Sequence, residues 1–309
     1  LSYNVVGYGH TRPTSRTTPG IQGSAARAEG PAELDWATYD RFYGPLFSGE
    51  IAADLPRKRQ PATHWYLPFH CGWPHPLKEC VPALFRGRVA PRSNKSAFAA
   101  WADRLAAADP LVPEHFCQAW RSAGRSVAKA FADHARRKGW DRTHFQVFNN
   151  HKYYFPSGSQ SLWTMDEPQY GRDFRALNWQ LSFFNDALQK GAGAVSSAAS
   201  GSTPAHDPSS REEAAHAGAE PLFFSMRTDV SRPALAGDKL DNCLDLFVVS
   251  GAVHTQRRLL EDLLLTKGLT LWWYGGAGDV DDDPAGAARL FLDQWSAGCS
   301  GGLPHWTAF

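Results

Sequence analysis

The chain has 309 residues, of which 43% are hydrophobic and 20% are charged, and its formal net charge is +1 at pH 7. This length suits one large domain or two small ones, and the apolar share is sufficient for a sizeable core. The near-neutral charge gives no basic footprint for nucleic acid or an anionic membrane, and no apolar run approaches the roughly 18 residues that a membrane span needs.

The start of the chain has no features of a signal peptide. The first residue is Leu1, and the methionines are Met165 and Met226. We therefore expect the chain to be an excerpt or a processed product, with any targeting segment outside it. The compartment stays open, with an extracellular or periplasmic location slightly favoured.

Short apolar or β-rich runs alternate with helical patterns along the chain. Strands are predicted at 1–8, 63–69, 144–148, 162–165, 222–226, 243–249, 270–273 and 303–308. Helices are predicted at 35–46, 96–108, 114–138, 171–190, 253–267 and 284–297. This alternation, repeated about eight times, indicates an α/β fold of the (β/α)₈ TIM-barrel type. A doubly wound open sheet is the alternative, although "NVVGYGHTRP" lacks the glycine-rich phosphate loop that usually follows its first strand.

Segment 191–220 differs from the rest of the chain. It contains no aromatic residue and is rich in Ala, Ser and Gly. Such a segment cannot bury enough apolar surface to order itself, so we predict a disordered surface insertion. Because barrel-like units continue on both sides of it, residues 1–309 are predicted to form a single domain.

The active site of such a barrel lies at the carboxyl ends of the strands. The predicted strand ends are polar, aromatic and rich in amides. This set suits a neutral polyhydroxylated ligand such as a glycan better than a phosphate, which would call for more cations and glycine-rich loops. The candidate substrate-binding residues are Asn4, His70, Asn149, Lys152, Tyr153, Trp163, Arg227, Asp229, Trp272, Tyr274 and Trp306.

The stretch "SLWTMDEPQYG" ends the fourth predicted strand with Asp166 and Glu167 side by side. Two carboxylates this close favour a protonated acid near neutrality, and Pro168 is expected to keep Glu167 extended. The pattern equally fits the start of a helix, in which Pro168 takes the first position and Glu167 complements the helix dipole.

Several candidates have a second interpretation. Asp229 is either the base of an inverting enzyme or, more simply, an Asx turn. Arg227 pairs with a carboxylate at the site or forms a structural ion pair, and Lys152 is either a ligand contact or solvated. Alternation along the strand puts only one of Trp272 and Trp273 inward.

The stretch "HWYLPFHCGWPHPLKEC" contains residue types that bind zinc. Its spacing matches none of the usual tetrahedral patterns, so we predict histidines with satisfied hydrogen bonds, no metal and no cofactor. Zinc-dependent hydrolysis is the weakest of the hypotheses. The five cysteines are odd in number and widely spaced, which argues against a disulfide framework and leaves one bridge open.

Five motifs follow one another in the order found in glycoside hydrolase family 123 and its relatives: "FQVFNNHKYYF", "WTMDEP", "DLFVVSG", "LTLWWYGG" and "GGLPHW". The stretches "LDWATYDRFYGPLFSG" and "HWYLPFHCG" resemble earlier parts of the same barrel. The resemblance covers nearly the whole chain except 191–220. It implies a (β/α)₈ catalytic domain, and an accessory β-sandwich domain that this chain lacks.

The resemblance also implies an activity similar to that of β-N-acetylgalactosaminidases, with retention of configuration and assistance from the substrate. Glu167 would be the general acid/base on the glycosidic oxygen. Asp166 would orient the 2-acetamido group, whose carbonyl oxygen attacks the anomeric carbon.

The seventh predicted strand supports this mechanism independently. Retaining enzymes with a protein nucleophile place it about 5 Å from the acid, and "LTLWWYGG" offers no carboxylate. A nucleophile supplied by the substrate is therefore favoured. The alternative from another class is a carbohydrate-binding or structural barrel domain without turnover.

Overall fold

The computed structural model describes most of the chain between residues 34 and 303. The described residues are 20–21, 34–56, 58–67, 69, 73–82, 112–149, 162–192, 195–196, 222–240, 242–250, 256–274 and 283–303. The helices are α1 (Ala37–Phe47), α2 (Leu77–Cys80), α3 (Val112–His115), α4 (Gln118–Lys138), α5 (Gly171–Ala192), α6 (Arg257–Lys267) and α7 (Pro284–Ser296), with 3₁₀ turns at Glu50–Ala52 and Pro233–Leu235.

The described strands form a large parallel sheet and a small antiparallel pair. The antiparallel pair is β1 (Gly20–Ile21) with β2 (Leu34–Asp35). The parallel strands are β3 (His64–Leu67), β4 (His144–Phe148), β5 (Val195–Ser196), β6 (Phe223–Val230), β7 (Leu246–Ser250), β8 (Thr270–Tyr274) and β9 (Gly301–Leu303).

The parallel sheet follows the order of the chain. Its strands are arranged β3-β4-β6-β7-β8-β9, with β5 beside β6, and all of these pairs are parallel. Parallel neighbours need crossover connections, and α-helices follow β3, β4, β7 and β8, whereas the connection from β6 to β7 contains a 3₁₀ turn. The fold is therefore α/β with a sequentially ordered parallel sheet.

Five of the predicted strands are present as β3, β4, β6, β7 and β8. The main difference is β6, which continues to Val230 instead of ending at residue 226. Asp229 therefore lies within the strand, whereas the sequence pattern placed it in the following loop.

The strand predicted at 162–165 is wrong, because this segment is irregular. The backbone N–H of Thr164 donates to Asp173 Oδ1 in the first turn of α5 at 3.2 Å. In a strand this N–H group would instead donate to a backbone oxygen of the neighbouring strand. The backbone N–H of Glu167 donates to Asp229 O at 3.0 Å, which joins the end of the segment to β6.

Other predicted boundaries differ locally. The helix predicted at 114–138 is divided into α3 and α4, and β9 starts at Gly301, before the predicted 303–308. The segment predicted as a disordered insertion contains the last two residues of α5 and all of β5, so its beginning belongs to the fold. The predicted strand 1–8 and helix 96–108 lie outside the described residues.

Alternation along the strands gives the sheet two different faces. One face packs against the helices and carries apolar side chains such as Trp65, Val147 and Trp273. The opposite face, which we call the inner face, carries His64, Tyr66, His144, Gln146, Phe148, Phe223, Ser225, Arg227, Asp229, Leu246, Val248, Ser250, Trp272 and Tyr274.

The inner face is concave. The rings of His64 on β3 and Trp272 on β8 meet edge to face with centroids 4.8 Å apart, although three strands separate β3 from β8 in the sheet. A flat sheet would keep these rings far apart, since neighbouring strands are about 4.8 Å from one another. The sheet therefore curves around its inner face.

Helices α4 and α5 cover the apolar face with a dense aromatic layer. Trp120 and Phe131 of α4 and Phe184 of α5 are fully buried. At Gly124 a Cβ would lie 2.8 Å from the Phe183 ring, so the missing side chain allows the two helices to approach closely. Helix α4 ends at Gly139, whose φ of 67° lies in the left-handed region that favours glycine.

A disulfide joins Cys80 at the end of α2 to Cys117 at the N-cap of α4, with Cα atoms 5.2 Å apart. The sequence allowed for one disulfide, and this is such a bond. Cys243 and Cys299 are buried thiols. Within the described part of the chain, no helix is both long enough and apolar enough to cross a membrane.

The aromatic layer gives the first prediction. Phe131 is fully buried and meets Trp36, Tyr39, Phe69 and Phe145 edge to face. Phe131→Ala should lower the free energy of unfolding by about 3–5 kcal/mol because it leaves a cavity that these rings cannot close. Urea denaturation measures the change.

The matched control is Leu265→Ala, whose side chain on α6 is 85% exposed. We expect this change to stay within about 0.5 kcal/mol. Equal effects of the two substitutions would contradict the position of Phe131 in the core.

Candidate active site

Parallel register aligns the inner-face side chains in rows across the sheet. His64, His144 and Phe223 form the row nearest the amino ends of the strands. Ser250 and Tyr274 pair at the opposite end, where β7 and β8 finish. The carboxyl ends of the strands thus place polar side chains of several elements close together.

Glu167 enters this region with an unusual backbone. Its φ is 55°, in the left-handed region, so the extended conformation that we predicted is wrong. Pro168 disfavours the right-handed helical region for the residue before it. The hydrogen bond from Glu167 N–H to Asp229 O then fixes the residue against β6. A non-glycine residue in this region costs of order 1–3 kcal/mol and is typical of functional sites.

The start of α5 is capped by a different acid. The Asp173 carboxylate accepts hydrogen bonds from the N–H groups of Tyr170 at 3.0 Å and Gln169 at 3.3 Å. This is the reciprocal half of a capping box, in which an acid in the first turn reaches back to the N-cap. The helix therefore begins at Gly171, and Asp173 supplies the carboxylate that caps it. The alternative prediction, in which Pro168 starts the helix and Glu167 complements its dipole, is wrong.

The Glu167 side chain is held by two hydroxyl groups. The Tyr274 hydroxyl donates to Glu167 Oε1 at 2.5 Å, and the Ser231 hydroxyl donates to the same oxygen. Ser231 Oγ and Tyr274 Oη are 2.9 Å apart. Burial, followed by the hydrogen bond to Glu167, raises the pKa of Tyr274 far above its usual range, so the phenol remains a protonated donor.

Beside this cluster lies a fully buried ion pair. Arg227 donates from Nε to Asp229 Oδ1 at 2.8 Å and from Nη2 to Asp229 Oδ2 at 2.9 Å. Its Nη1 donates to Gln146 Oε1 at 2.9 Å, and the guanidinium carbon lies 4.3 Å from the centre of the Phe148 ring. Two parallel charge-assisted bonds of this kind fix the geometry of both partners.

From Arg227 the hydrogen bonds continue along the inner face towards the amino ends of the strands. Because Gln146 Oε1 accepts from Arg227, its Nε2 is the donor towards His64 Nδ1 at 3.3 Å. Nδ1 of His64 must then be unprotonated. Burial, with smaller contributions from His144 and Arg227, lowers the pKa of His64 to about 4, which agrees with a neutral ring. We call this chain of Asp229, Arg227, Gln146 and His64 the arginine network.

Of the two adjacent tryptophans of β8, Trp272 faces inward, while Trp273 packs against Phe291 on the helix side, with ring centroids 5.6 Å apart. This confirms that only one of the two adjacent tryptophans points inward. Gly301 on β9 makes room for the inward ring, since a Cβ at that position would lie 2.7 Å from the indole nitrogen.

The structure brings together Glu167, Arg227, Asp229, Trp272 and Tyr274 from the predicted site. Asp166 is buried beside Glu167 and is 7% exposed. The remaining predicted residues Asn4, His70, Lys152, Tyr153 and Trp306 lie outside the described residues.

Two predicted site residues lie elsewhere. Trp163 is fully buried in the main hydrophobic core, where it packs on Phe116 and His115, whereas Trp272 belongs to the group of side chains on the inner face. Asn149 follows the inner-face residue Phe148 and accepts a hydrogen bond from Gln180 of α5 at 3.0 Å. It therefore belongs to the contact between the sheet and a helix.

Three residues of this site were missed. Ser231 was overlooked because the predicted strand ended too early, although Arg227, Asp229 and Ser231 repeat with the period of two that puts them on one face. His64 and Gln146 stand on strands that were predicted, and the same alternation would have marked them as polar groups of the inner face.

Comparison with protein-family models, curated proteins and solved structures gives no match for the chain. The class that the fold and the site define is an α/β protein with a curved parallel sheet and a carboxylate held at the carboxyl ends of its strands. The resemblance to family 123 glycoside hydrolases stays a prediction.

The neutral state of His64 gives a prediction about acid stability. The unfolded chain protonates His64 near pH 6.5, whereas the folded protein does so only near pH 4. Below pH 6.5 the unfolded state therefore binds more protons, and stability falls as the pH falls towards 4. The shift corresponds to about 3 kcal/mol.

His64→Gln should flatten the decline of the unfolding free energy between pH 6.5 and 4. His144, which is half-buried, and His134, which is buried, also have pKa values lowered by desolvation, so they maintain part of this dependence on pH. Urea denaturation at several pH values measures it. An unchanged slope would show that His64 takes up its proton equally in both states.

Proposed function

We propose that the protein is a glycoside hydrolase that removes a terminal 2-acetamido sugar from a glycan, with retention and with assistance from the substrate. The observation that supports this most strongly is the Glu167 carboxyl group, fixed by Tyr274 and Ser231 at the carboxyl ends of the strands. Barrel enzymes carry their catalytic residues at this end of the sheet.

The proposal includes a (β/α)₈ barrel. The sequential order of the parallel strands supports it, as does the contact between His64 and Trp272 across the inner face. Eight strands leave an interior that side chains can fill, which is consistent with the large polar and aromatic residues of this face.

Glu167 acts as the general acid and then as the general base. Because both hydroxyl donors bind Oε1, we assign the transferable proton to Oε2. That proton goes to the glycosidic oxygen as its bond to the anomeric carbon breaks. The residue later removes a proton from the water that attacks the same carbon, which restores the acid.

The substrate supplies the nucleophile. The carbonyl oxygen of the 2-acetamido group attacks the anomeric carbon and forms an oxazoline-type intermediate, which water opens with overall retention. Asp166, next to Glu167, holds the acetamido N–H and stabilises the positive charge that develops there. The ring of Trp272, which faces inward and is 4% exposed, supplies apolar packing beneath the sugar.

The state of Asp229 supports this route over inversion. An inverting enzyme needs a carboxylate that binds the attacking water. Both oxygens of Asp229 accept hydrogen bonds from the Arg227 guanidinium, and the residue is 4% exposed. Asp229 is thus occupied in placing Arg227, and its backbone oxygen holds Glu167.

The direct test is Glu167→Gln assayed on aryl 2-acetamido glycosides. Losing the proton donor should lower kcat/KM by about 10²–10⁴-fold. Glu261→Gln is the matched control, because Glu261 pairs with Arg257 on exposed α6 and should leave the rate unchanged. Equal rates for wild type and Glu167→Gln would remove Glu167 from the mechanism.

The choice of substrate separates the hypotheses. Hydrolysis of plain hexosides without hydrolysis of acetamido sugars would exclude assistance by the substrate. Glycan binding without product release would favour the carbohydrate-binding alternative.

Tyr274 and Ser231 are positioning residues in this mechanism. Tyr274→Phe and Ser231→Ala each remove one hydrogen bond to a carboxylate, which is worth about 1.5–3 kcal/mol, so kcat/KM should fall about 10- to 100-fold. The basic limb of the pH–rate profile should also move to higher pH, because a carboxylate that loses a donor holds its proton more tightly.

Ser250→Ala is the control for these two variants. The Ser250 hydroxyl group stands at the neighbouring strand end and donates to the backbone oxygen of Ser231 at 3.5 Å instead of to the Glu167 carboxyl group, so its loss should leave the basic limb in place. A fall in rate without a shift of the basic limb would mean that Tyr274 and Ser231 act only on structure.

A further inference from the structure

A second cluster of reactive side chains lies at the contact between α2 and the start of α4. The ligand atoms of His75, Cys80 and Cys117 all lie within 4.8 Å of one another, and no other such group of three is found in the described part of the chain. The proposed hydrolase mechanism does not use these residues.

We propose that these three residues form a zinc site that exists only when the Cys80–Cys117 disulfide is reduced. Two thiolates and one imidazole are a ligand set that zinc prefers over the oxygen-binding cations. The proposal is independent of the hydrolase activity.

The distances suit a tetrahedral ion. With Zn–S of about 2.3 Å and Zn–N of about 2.0–2.1 Å, ligand atoms lie roughly 3.5–3.8 Å apart. The ligand atoms of the cluster already fall within 4.8 Å, so side-chain rotations are sufficient to reach this geometry. The Cα atoms of the two cysteines, 5.2 Å apart, need no backbone movement.

The surroundings favour binding. Cys117 is the N-cap of α4, a helix of 21 residues, and the positive end of a helix stabilises a thiolate. Glu79 Oε2 lies 3.9 Å from His75 Nε2, and a carboxylate beside a histidine ligand orients its ring. His75 is 6% exposed, whereas both cysteines are half-buried and remain accessible to small reagents.

The two states exchange by balanced chemistry. Two molecules of a small thiol reduce the disulfide and leave as one small disulfide, and Cys80 and Cys117 become thiols. Each thiol then releases one proton as its sulfur binds Zn²⁺. In the reverse direction a small disulfide accepts two electrons and two protons, the Cys80–Cys117 bond forms, and the ion is released.

The test compares the full chain in both redox states. Protein reduced with a phosphine and stripped of metal is titrated with Zn²⁺ and, as a spectroscopic probe, with Co²⁺. We expect one ion per chain and a thiolate-to-cobalt charge-transfer band, with both lost after oxidation by a small disulfide. This comparison needs no substitution, so misfolding of a variant cannot explain its result.

Variants then identify the ligands. Cys80→Ser, Cys117→Ser and His75→Gln should each weaken Zn²⁺ binding at least tenfold, and Glu79→Gln by about 10- to 100-fold if it orients the ring. Cys243→Ala and Cys299→Ala remove the other described cysteines and should leave binding unchanged. Reduced protein that binds no zinc, or variants that bind it as tightly as wild type, would overturn the proposal.

Discussion

The buried pair of Arg227 and Asp229 is the interaction on which the site depends. A charge taken out of water is expensive unless its partner and its remaining hydrogen bonds are supplied. Here Asp229 takes two of the guanidinium donors, Gln146 takes a third, and the Phe148 ring covers one face. With so many fixed partners, Arg227 holds the centre of the inner face in one arrangement.

That arrangement extends to the acid. The backbone oxygen of Asp229 holds the N–H of Glu167, while Tyr274 and Ser231 hold its carboxyl group. Thus the residue with an unfavourable φ is fixed by contacts from β6, from β8 and from the turn after β6. Asp173 caps α5 separately, so the Glu167 carboxyl group is not part of the helix cap.

The sequence predicted the alternating strands and helices because buried parallel strands appear as short, nearly continuous apolar runs, and amphipathic helices repeat their apolar residues every three to four positions. It also marked Glu167, Arg227, Asp229 and Tyr274, since all stand near the ends of predicted strands. Trp163 was misplaced because an apolar run cannot show whether a tryptophan faces the core or a cleft. The left-handed backbone of Glu167 could not be predicted, because it depends on a hydrogen bond to Asp229, which lies 62 positions away in the chain. Ser231 was missed because its position on the inner face follows only if β6 extends to Val230.

The missing side chain of Gly301 has a consequence for how this face could diversify. The indole of Trp272 occupies the space that a single methyl group on β9 would require. The shape of the inner face can therefore change through a position that contributes neither charge nor proton. A substitution at Gly301 would displace the indole ring of Trp272, while Glu167 would keep its contacts with Tyr274, Ser231 and Asp229.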